Sequence, residues 1–370
     1  MMDWLSPRPN ESFEFYRVAW PGYEERERYE KITGGSLEWS AFTDLKLSGS
    51  LDYRDQLPNS HDMVRVYYSF TNAKGESARI ALATVRVEKP KPTRTPHGVS
   101  GSVTCHSMLK LLMDETYPMP FTVPAGTQAV AKAVELAKLV GLRVNNPDAS
   151  AYVTKSSHTF DAGVSYLAII NWLLDMAGYA SVTVDAYGAL QILKYVEPTE
   201  RPSSFDFAAN ETSIIMPEVS DEDDFDERGN VYQLYHDSQE ESMWASASNV
   251  DIDDPLSVVN LGHRKCAYES VSEIAGETAQ ERFANLKAMA VQKVKNSSVI
   301  SYRTIKHQWV PILPNDAVTT DLEDGNGAWG GNVTNVQMEL DIQALCQTKV
   351  RKFVRYDLKI ETEGAIVYAV

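Results

Sequence analysis

The sequence predicts a β-rich α+β chain, in which two small β-barrel-like domains flank and join an α+β middle unit. Three observations carry this expectation. First, Leu45, Leu47, Leu51 and Tyr53 alternate with Asp44, Lys46, Ser48, Ser50 and Asp52, and Val336, Met338, Leu340 and Ile342 alternate with Gln337, Glu339 and Asp341. That is the period of a strand with one buried face. Second, Tyr166, Ile169, Ile170, Leu173 and Ala177 recur at helical spacing ahead of Gly178, which can end a helix. Third, Lys89-Pro90-Lys91-Pro92-Thr93-Arg94-Thr95-Pro96 has prolines that cannot donate to a sheet ladder, so it reads as an extended linker between two folded parts.

The N-terminal β-barrel domain is expected over residues 1–95. Besides the strand around Leu47, Val64, Val66, Tyr68 and Phe70 form an alternating face, Asn72-Ala73-Lys74-Gly75 is a turn, and Arg79 to Val87 returns as the second arm of a hairpin. An α+β domain with a helix and hairpin module follows over 96–202. Its first helix is placed at Cys105 to Asp114. A second, with Thr127 as N-cap and Val130, Val134 and Ala137 inward, ends at Gly141. After the helix at Ile169, Val182 and Val184 and then Ala189 to Tyr195 pair across the turn at Ala186, Tyr187 and Gly188. Residues 203–260 are read as strands of a second β-barrel. Residues 261–297 hold a helix, with Phe283, Leu286, Ala290 and Val294 on one face, expected to pack on the middle unit. Residues 298–370 supply the remaining strands of the second barrel and a basic C-terminal strand.

Composition narrows the function. At 370 residues the chain exceeds the size of one hydrophobic core, and 43% hydrophobic residues are enough to build several. A net charge of -16 opposes sequence-specific or non-specific nucleic-acid binding, which draws on Lys and Arg. Cys105, Cys266 and Cys346 are odd in number and far apart, which fits a reducing compartment. Met1-Met2-Asp3-Trp4 does not open like a secretory signal. The longest apolar stretch, Tyr166 to Tyr179, is broken by Asn171 and Asp175 and falls short of the roughly 20 residues a bilayer span needs, so no membrane insertion is expected.

Chemistry-bearing patterns are sparse. Cys105-His106 and the pair His263 and Cys266 lack the second close pair that a zinc site requires, and Cys105 with His158 lacks the surroundings of a papain-like nucleophile. No cofactor, metal or catalytic residue is expected. The acidic run Asp221, Glu222, Asp223, Asp224, Asp226 and Glu227 lacks the glycine and terminal glutamate of an EF-hand, and it reads as a loop. Its carboxylates could line a lumen and repel passing DNA. Lys349, Arg351, Lys352 and Arg355 concentrate positive charge on the last strand, where they could pair with acidic neighbours. Gly325, Gly327, Gly330 and Gly331 surround Trp329, which reads as a hairpin tip presenting an aromatic anchor to another subunit.

The block from 169 to 202, with its Asn171-Trp172-Leu173-Leu174-Asp175 helix, its Ala177-Gly178-Tyr179 stop, the hairpin and the exit at Pro202, resembles the central hub proteins of phage tail baseplates. This includes the N-terminal hub portions of long-tailed phage tail-tip proteins. The resemblance extends more loosely to Pro217-Glu218-Val219-Ser220, to Trp309-Val310-Pro311 with Pro314-Asn315-Asp316, and to the basic last strand. It implies a structural subunit of a virion tail tip or baseplate, assembled in the host cytoplasm, with no enzymatic activity. In that family two structurally related barrels let a homotrimeric ring match a hexameric tail tube around a channel for DNA. The implied partners are the tail tube protein, the distal tail protein, the tape measure protein and tip or fibre proteins. The alternatives are a tail-associated peptidoglycan hydrolase, for which no acid and nucleophile pair of carboxylates stands out and no further domain is expected before Val370, and a receptor- or carbohydrate-binding module using exposed Trp and Tyr.

Overall fold

A computed structural model describes residues 3–55, 63–88, 92–96, 98–197, 200–209, 213–223, 229–238, 241–271, 274, 276, 278–297, 301–322, 329–341, 345–353 and 358–368. The fold is β-rich α+β, as the sequence patterns predict. The chain forms two compact units: unit 1 holds Met1–Glu218, Ile305–Ala328 and Val333–Thr348, and unit 2 holds Val219–Thr304, Trp329–Asn332 and Lys349–Val370.

Unit 1 begins with β1 (Asn10–Val18), β2 (Glu25–Arg28), β3 (Ile32–Ser40), β4 (Leu47–Arg54), β5 (Met63–Thr71), β6 (Ser77–Val87), β7 (Thr93–Thr95) and β8 (Gly98–Ser107). Seven of them lie side by side in the order β3-β4-β8-β6-β5-β1-β2, with β7 on β8. The expected β5 and β6 hairpin forms, with Thr71 opposite Ser77, because the Asn72 side chain accepts from the amides of Lys74 and Glu76 and Gly75 takes a positive φ of 80°. Leu47, Leu51 and Tyr53 on β4 are buried as their alternation requires. Gly49 lies opposite Leu37, where a Cβ would collide with the carbonyl oxygen of Ser36.

Two expectations are revised here. The proline-rich linker does not end the sheet, since β8 returns between β4 and β6, with Val103 opposite Leu51 and Cys105 opposite both Gly49 and Val87. Cys105 is therefore a strand residue, and α1 (Leu109–Asp114) starts only after Ser107, whose hydroxyl accepts from the Leu109 amide. The physical reason is a period of two: Val103, Cys105 and Ser107 are buried, whereas Ser102 and Thr104 are exposed.

Next come β9 (Phe121–Val123), α2 (Ala129–Leu139), β10 (His158–Phe160), α3 (Tyr166–Met176), β11 (Thr183–Val184) and β12 (Leu190–Gln191). Ser165 caps α3 by accepting from Ala168, Ile169, Ile170 and Leu173 are fully buried, and Gly178 ends the helix at φ 74°. Thr127 is not the cap of α2: that position is Gln128, and the Thr127 hydroxyl donates to the Pro124 carbonyl.

The two strand and helix pairs repeat one another at an offset of 37 residues (158 minus 121). Thr122, Ala125, Gly126, Ala131, Leu136 and Gly141 recur as Thr159, Ala162, Gly163, Ala168, Leu173 and Gly178. All four of the recurring glycines adopt positive φ, and Val130, Ala133, Leu136 and Ala137 are buried at the positions of Leu167, Ile170, Leu173 and Leu174. β9 and β10 pair antiparallel about the equivalent residues Thr122 and Thr159, whose hydroxyls are 2.8 Å apart, with Phe121 opposite Phe160 and Val123 opposite His158. This register has a local two-fold axis at the threonine pair, so each repeat buries its helix against the other's in one shared core.

The remaining elements are β13 (Phe205–Ala208), β14 (Ile215–Asp223), β15 (Val231–Asp237), β16 (Glu241–Asn249), α4 (Val258–Leu261), β17 (Cys266–Ser270), α5 (Ala279–Ser297), β18 (Ser301–Gln308), β19 (Ala317–Asp321), β20 (Trp329–Glu339), β21 (Leu345–Lys352) and β22 (Ile360–Tyr368). Each of β14, β18, β20 and β21 has residues in both units. Within unit 1, β20 extends the N-terminal sheet, with Met338 opposite Leu37 and Val336 opposite Trp39. Also in unit 1, β13 runs parallel to β19.

Within unit 2 a sheet in the order β17-β15-β16-β22 carries α5 on one face. The helix expected to pack on the middle unit thus lies on its own sheet: Leu286, Ala290 and Val294 cluster with Leu234, Met243, Ala245 and Ala247. Periodicity identified the inward face of α5 correctly, but it carries no address for the surface that face meets.

Candidate functional site

The charged residues singled out from the sequence converge on three neighbouring strands, in the order β14-β18-β21. Asp221 and Glu222 are strand residues near the end of β14, which corrects the expected loop, and Asp223 ends that strand. Asp224, Asp226, Glu227 and Arg355 lie outside the described residues. In unit 2 the Arg303 guanidinium on β18 donates from Nε and Nη2 to the two oxygens of Asp221, both at 2.8 Å. Arg303 is 1% exposed and Asp221 46%. A desolvated guanidinium needs a neutralising partner, and a two-pronged carboxylate contact fits its planar donor fork.

Lys349 on β21 donates to Glu222 at 2.7 Å and sits 4.4 Å from the centre of the Tyr302 ring. Arg351 donates through Nη2 to the carbonyl of Asn296 in the last turn of α5, where the helix dipole favours a cation. In unit 1, Lys306 donates to Glu218 at 2.7 Å and holds that carboxyl below its usual range. The basic strand is therefore the penultimate one, and β22 follows it.

Trp329 opens β20 and does not occupy a loop tip. Its neighbours Gly330 and Gly331 let β21 approach closely: the Phe353 amide donates to the Gly330 carbonyl at 3.0 Å, and a Cβ on Gly331 would strike the carbonyl oxygen of Arg351.

The enzyme candidates do not assemble. Cys105 is buried in the N-terminal sheet, with its thiol pushed up to about 12 by burial, while His106 faces Glu88 at 3.1 Å. His158 stacks on Trp172 with ring centres 4.6 Å apart, and Trp172 packs against a different core cluster from that of Cys105. Cys266 is exposed on β17. Among the described residues, no three His, Cys, Asp or Glu side chains converge as a metal site requires.

Sequence reasoning missed the buried polar groups of unit 1. Arg8 donates to the Trp309 carbonyl at 2.7 Å and to the Tyr68 hydroxyl at 3.2 Å, with its guanidinium 4.3 Å over Phe70. The Tyr68 hydroxyl in turn donates to Glu11, whose carboxyl burial pushes up. His307 donates from Nδ1 to the Gln308 carbonyl and accepts at Nε2 from the Thr348 hydroxyl at 2.7 Å, and burial holds its pKa at about 4. One signal was available: Arg303 and His307 fall in phase with buried Ile305 on β18.

No protein-family model and no curated protein sequence matches the chain. Solved structures do. A tail protein from Neisseria meningitidis MC58 superposes with a TM-score of 0.65 at 13% identity, covering 93% of this chain and 97% of its own. The 43 kDa tail protein of prophage MuSo2 from Shewanella oneidensis gives 0.63 at 13% identity, over 91% and 97%. The chain has the fold of phage tail proteins. Prophage tail protein gp18 from Listeria monocytogenes EGD-e shares this tail-protein fold with a TM-score of 0.54 at 12% identity, over 91% and 94%. Each neighbour matches along nearly its whole length, so the tail-protein fold takes in both units and the strands that run through them.

Proposed function

We propose that this chain is a non-enzymatic structural subunit of a phage tail tip or baseplate, forming a homotrimeric hub ring that links the hexameric tail tube to tip components and leaves a channel for DNA. The observation that carries this reading is the end-to-end likeness to tail proteins, two of them from prophages. The paired charges are compatible with it: Asp221 with Arg303 joins β14 to β18, and Glu222 with Lys349 reaches from β14 to β21. In this reading the segments that hold Asp221, Glu222, Asp223, Trp329, Lys349 and Arg351 lie near the lumen or a neighbouring subunit. The partners are the tail tube, distal tail, tape measure and tip or fibre proteins, and the place of action is the virion tail.

The test is the mass of the purified chain by light scattering, alone and with the tube protein, together with negative-stain imaging. Three copies of a 41.3 kDa chain give about 124 kDa, and a ring with three-fold symmetry is expected. A chain that remains monomeric in the presence of tube and tip proteins refutes the hub.

A further inference from the structure

Unit 1 holds a cavity of about 630 Å³ between the end of α2, the β11 and β12 turn, and the β1 to β2 connection. Its walls are cationic in a chain that is otherwise strongly acidic: Arg65, Lys138 and Arg143 line it, with Tyr23 and Tyr187 beside them. We propose that this cavity is a docking site for an acidic peptide segment of a neighbouring protein, whose carboxylates engage Lys138 and Arg143.

Arg65 shows that the site is built. Its side chain is 8% exposed, and it is fixed from three directions: Nε donates to Thr84 at 3.0 Å, Nη1 to Glu25 at 3.2 Å and Nη2 to the Tyr187 carbonyl at 3.4 Å. These contacts use three of the five N–H donors of the guanidinium and fix it in the wall. Its Cζ lies 5.0 Å from the Tyr187 ring centre, and that of Arg143 lies 4.6 Å from the Tyr23 ring centre. Arg143 spends one donor on the Gly22 carbonyl at 2.6 Å. Among the described residues, neither Arg143 nor Lys138 is in an ion pair. The one carboxylate in the wall, Asp185, is occupied: it accepts from the amides of Tyr187 and Ala189 and from the Asn145 side chain. Lys138 and Arg143 are therefore the cations left to meet an entering carboxylate, while Arg65 is held by Glu25.

The internal repeat provides a control within the molecule. At the offset of 37, Lys138 and Arg143 correspond to Asp175 and Ala180. The repeated framework thus folds with an acid and a methyl at those positions, so the fold itself does not demand the two cations. The planar guanidinium of Arg143 suits a carboxylate, which such a group can bind in a two-pronged fashion. A nucleic-acid backbone is disfavoured, because phosphate tracking takes a long row of cations and the net charge of -16 opposes it. That the neighbour is a tail component rests on the hub reading; the acidic-peptide site itself does not.

The experiment uses the full chain and fluorescein-labelled hexaglutamate, with hexaglutamine as the matched neutral probe, read by anisotropy. Hexaglutamate binding is expected to weaken at least about tenfold in Lys138→Glu and in the Lys138→Ala/Arg143→Ala double variant, and to be unchanged in Lys110→Ala, away from the cavity. Both cavity residues are exposed, and circular dichroism checks that the variants stay folded. Equal binding of hexaglutamine, unchanged affinity in the cavity variants, or tighter binding of a twelve-residue oligothymidylate than of hexaglutamate overturns the proposal. A chain that binds hexaglutamate in the expected manner but never assembles with tube protein would retain the site and lose the hub.

Discussion

Replacing Asp221 with Asn removes a charge that faces Arg303 while keeping the side chain's shape. Arg303 is 1% exposed, so its guanidinium relies on the carboxylate in place of water. Two unit charges about 4 Å apart attract by about 4 kcal/mol at an effective dielectric near 20. The contact here is at 2.8 Å, but Asp221 is 46% exposed, and solvent on that side reduces the effect to about half, or about 2 kcal/mol. Urea unfolding followed by circular dichroism measures it. With a slope of about 2 kcal/mol per molar, the midpoint should fall by about 1 M. Arg303→Met provides the companion: adding Asp221→Asn to it should cost almost nothing, because no buried cation remains to be stranded, so the cycle should show a coupling of about 2 kcal/mol. An unchanged midpoint for Asp221→Asn, or two substitutions that simply add, would refute the reasoning.

Three further outcomes are expected. The neutral, buried His307 resists protonation down to about pH 4 whereas the unfolded chain takes up its proton near 6.5, so its contribution is complete above 6.5 and is lost as pH falls toward 4. The difference between wild type and His307→Gln in urea titrations across that window should approach about 3 kcal/mol, and identical curves would remove His307 from the account. Gly141→Ala and Gly178→Ala occupy equivalent positive-φ positions at 84° and 74°, and each should cost about 1 to 2 kcal/mol in the same assay, whereas a large gap between them would argue against equivalent helix ends. Native protein treated with an aromatic disulfide reagent should titrate one thiol, Cys266, and all three after denaturation; rapid reaction of Cys105 or Cys346 would contradict their burial.

Local pattern was enough to locate β4, the β5 and β6 hairpin, α3 and the inward face of α5. In each case a period of two or 3.6 records which side of one segment avoids water, and that information sits within a few neighbouring residues. The repeat in unit 1 was also legible, since its threonines and glycines recur at one offset, but it emerges only when two segments are compared with each other.

What tertiary structure alone decided is which segment meets which. Period two marks Cys105 as half of a buried face, yet only packing inserts its strand between Gly49 and Val87, across the proline-rich segment that looked like a boundary. The same holds for Met338 against Leu37 and for α5 on the β15 and β16 sheet. The charges show it most clearly. A sequence displays an acidic run and a basic strand as two solvated stretches, whereas the lateral order β14-β18-β21 brings Asp221 to Arg303 and Glu222 to Lys349. Pairing over such separations is set by the combined burial of many side chains on both faces, and no short window of residues contains that sum.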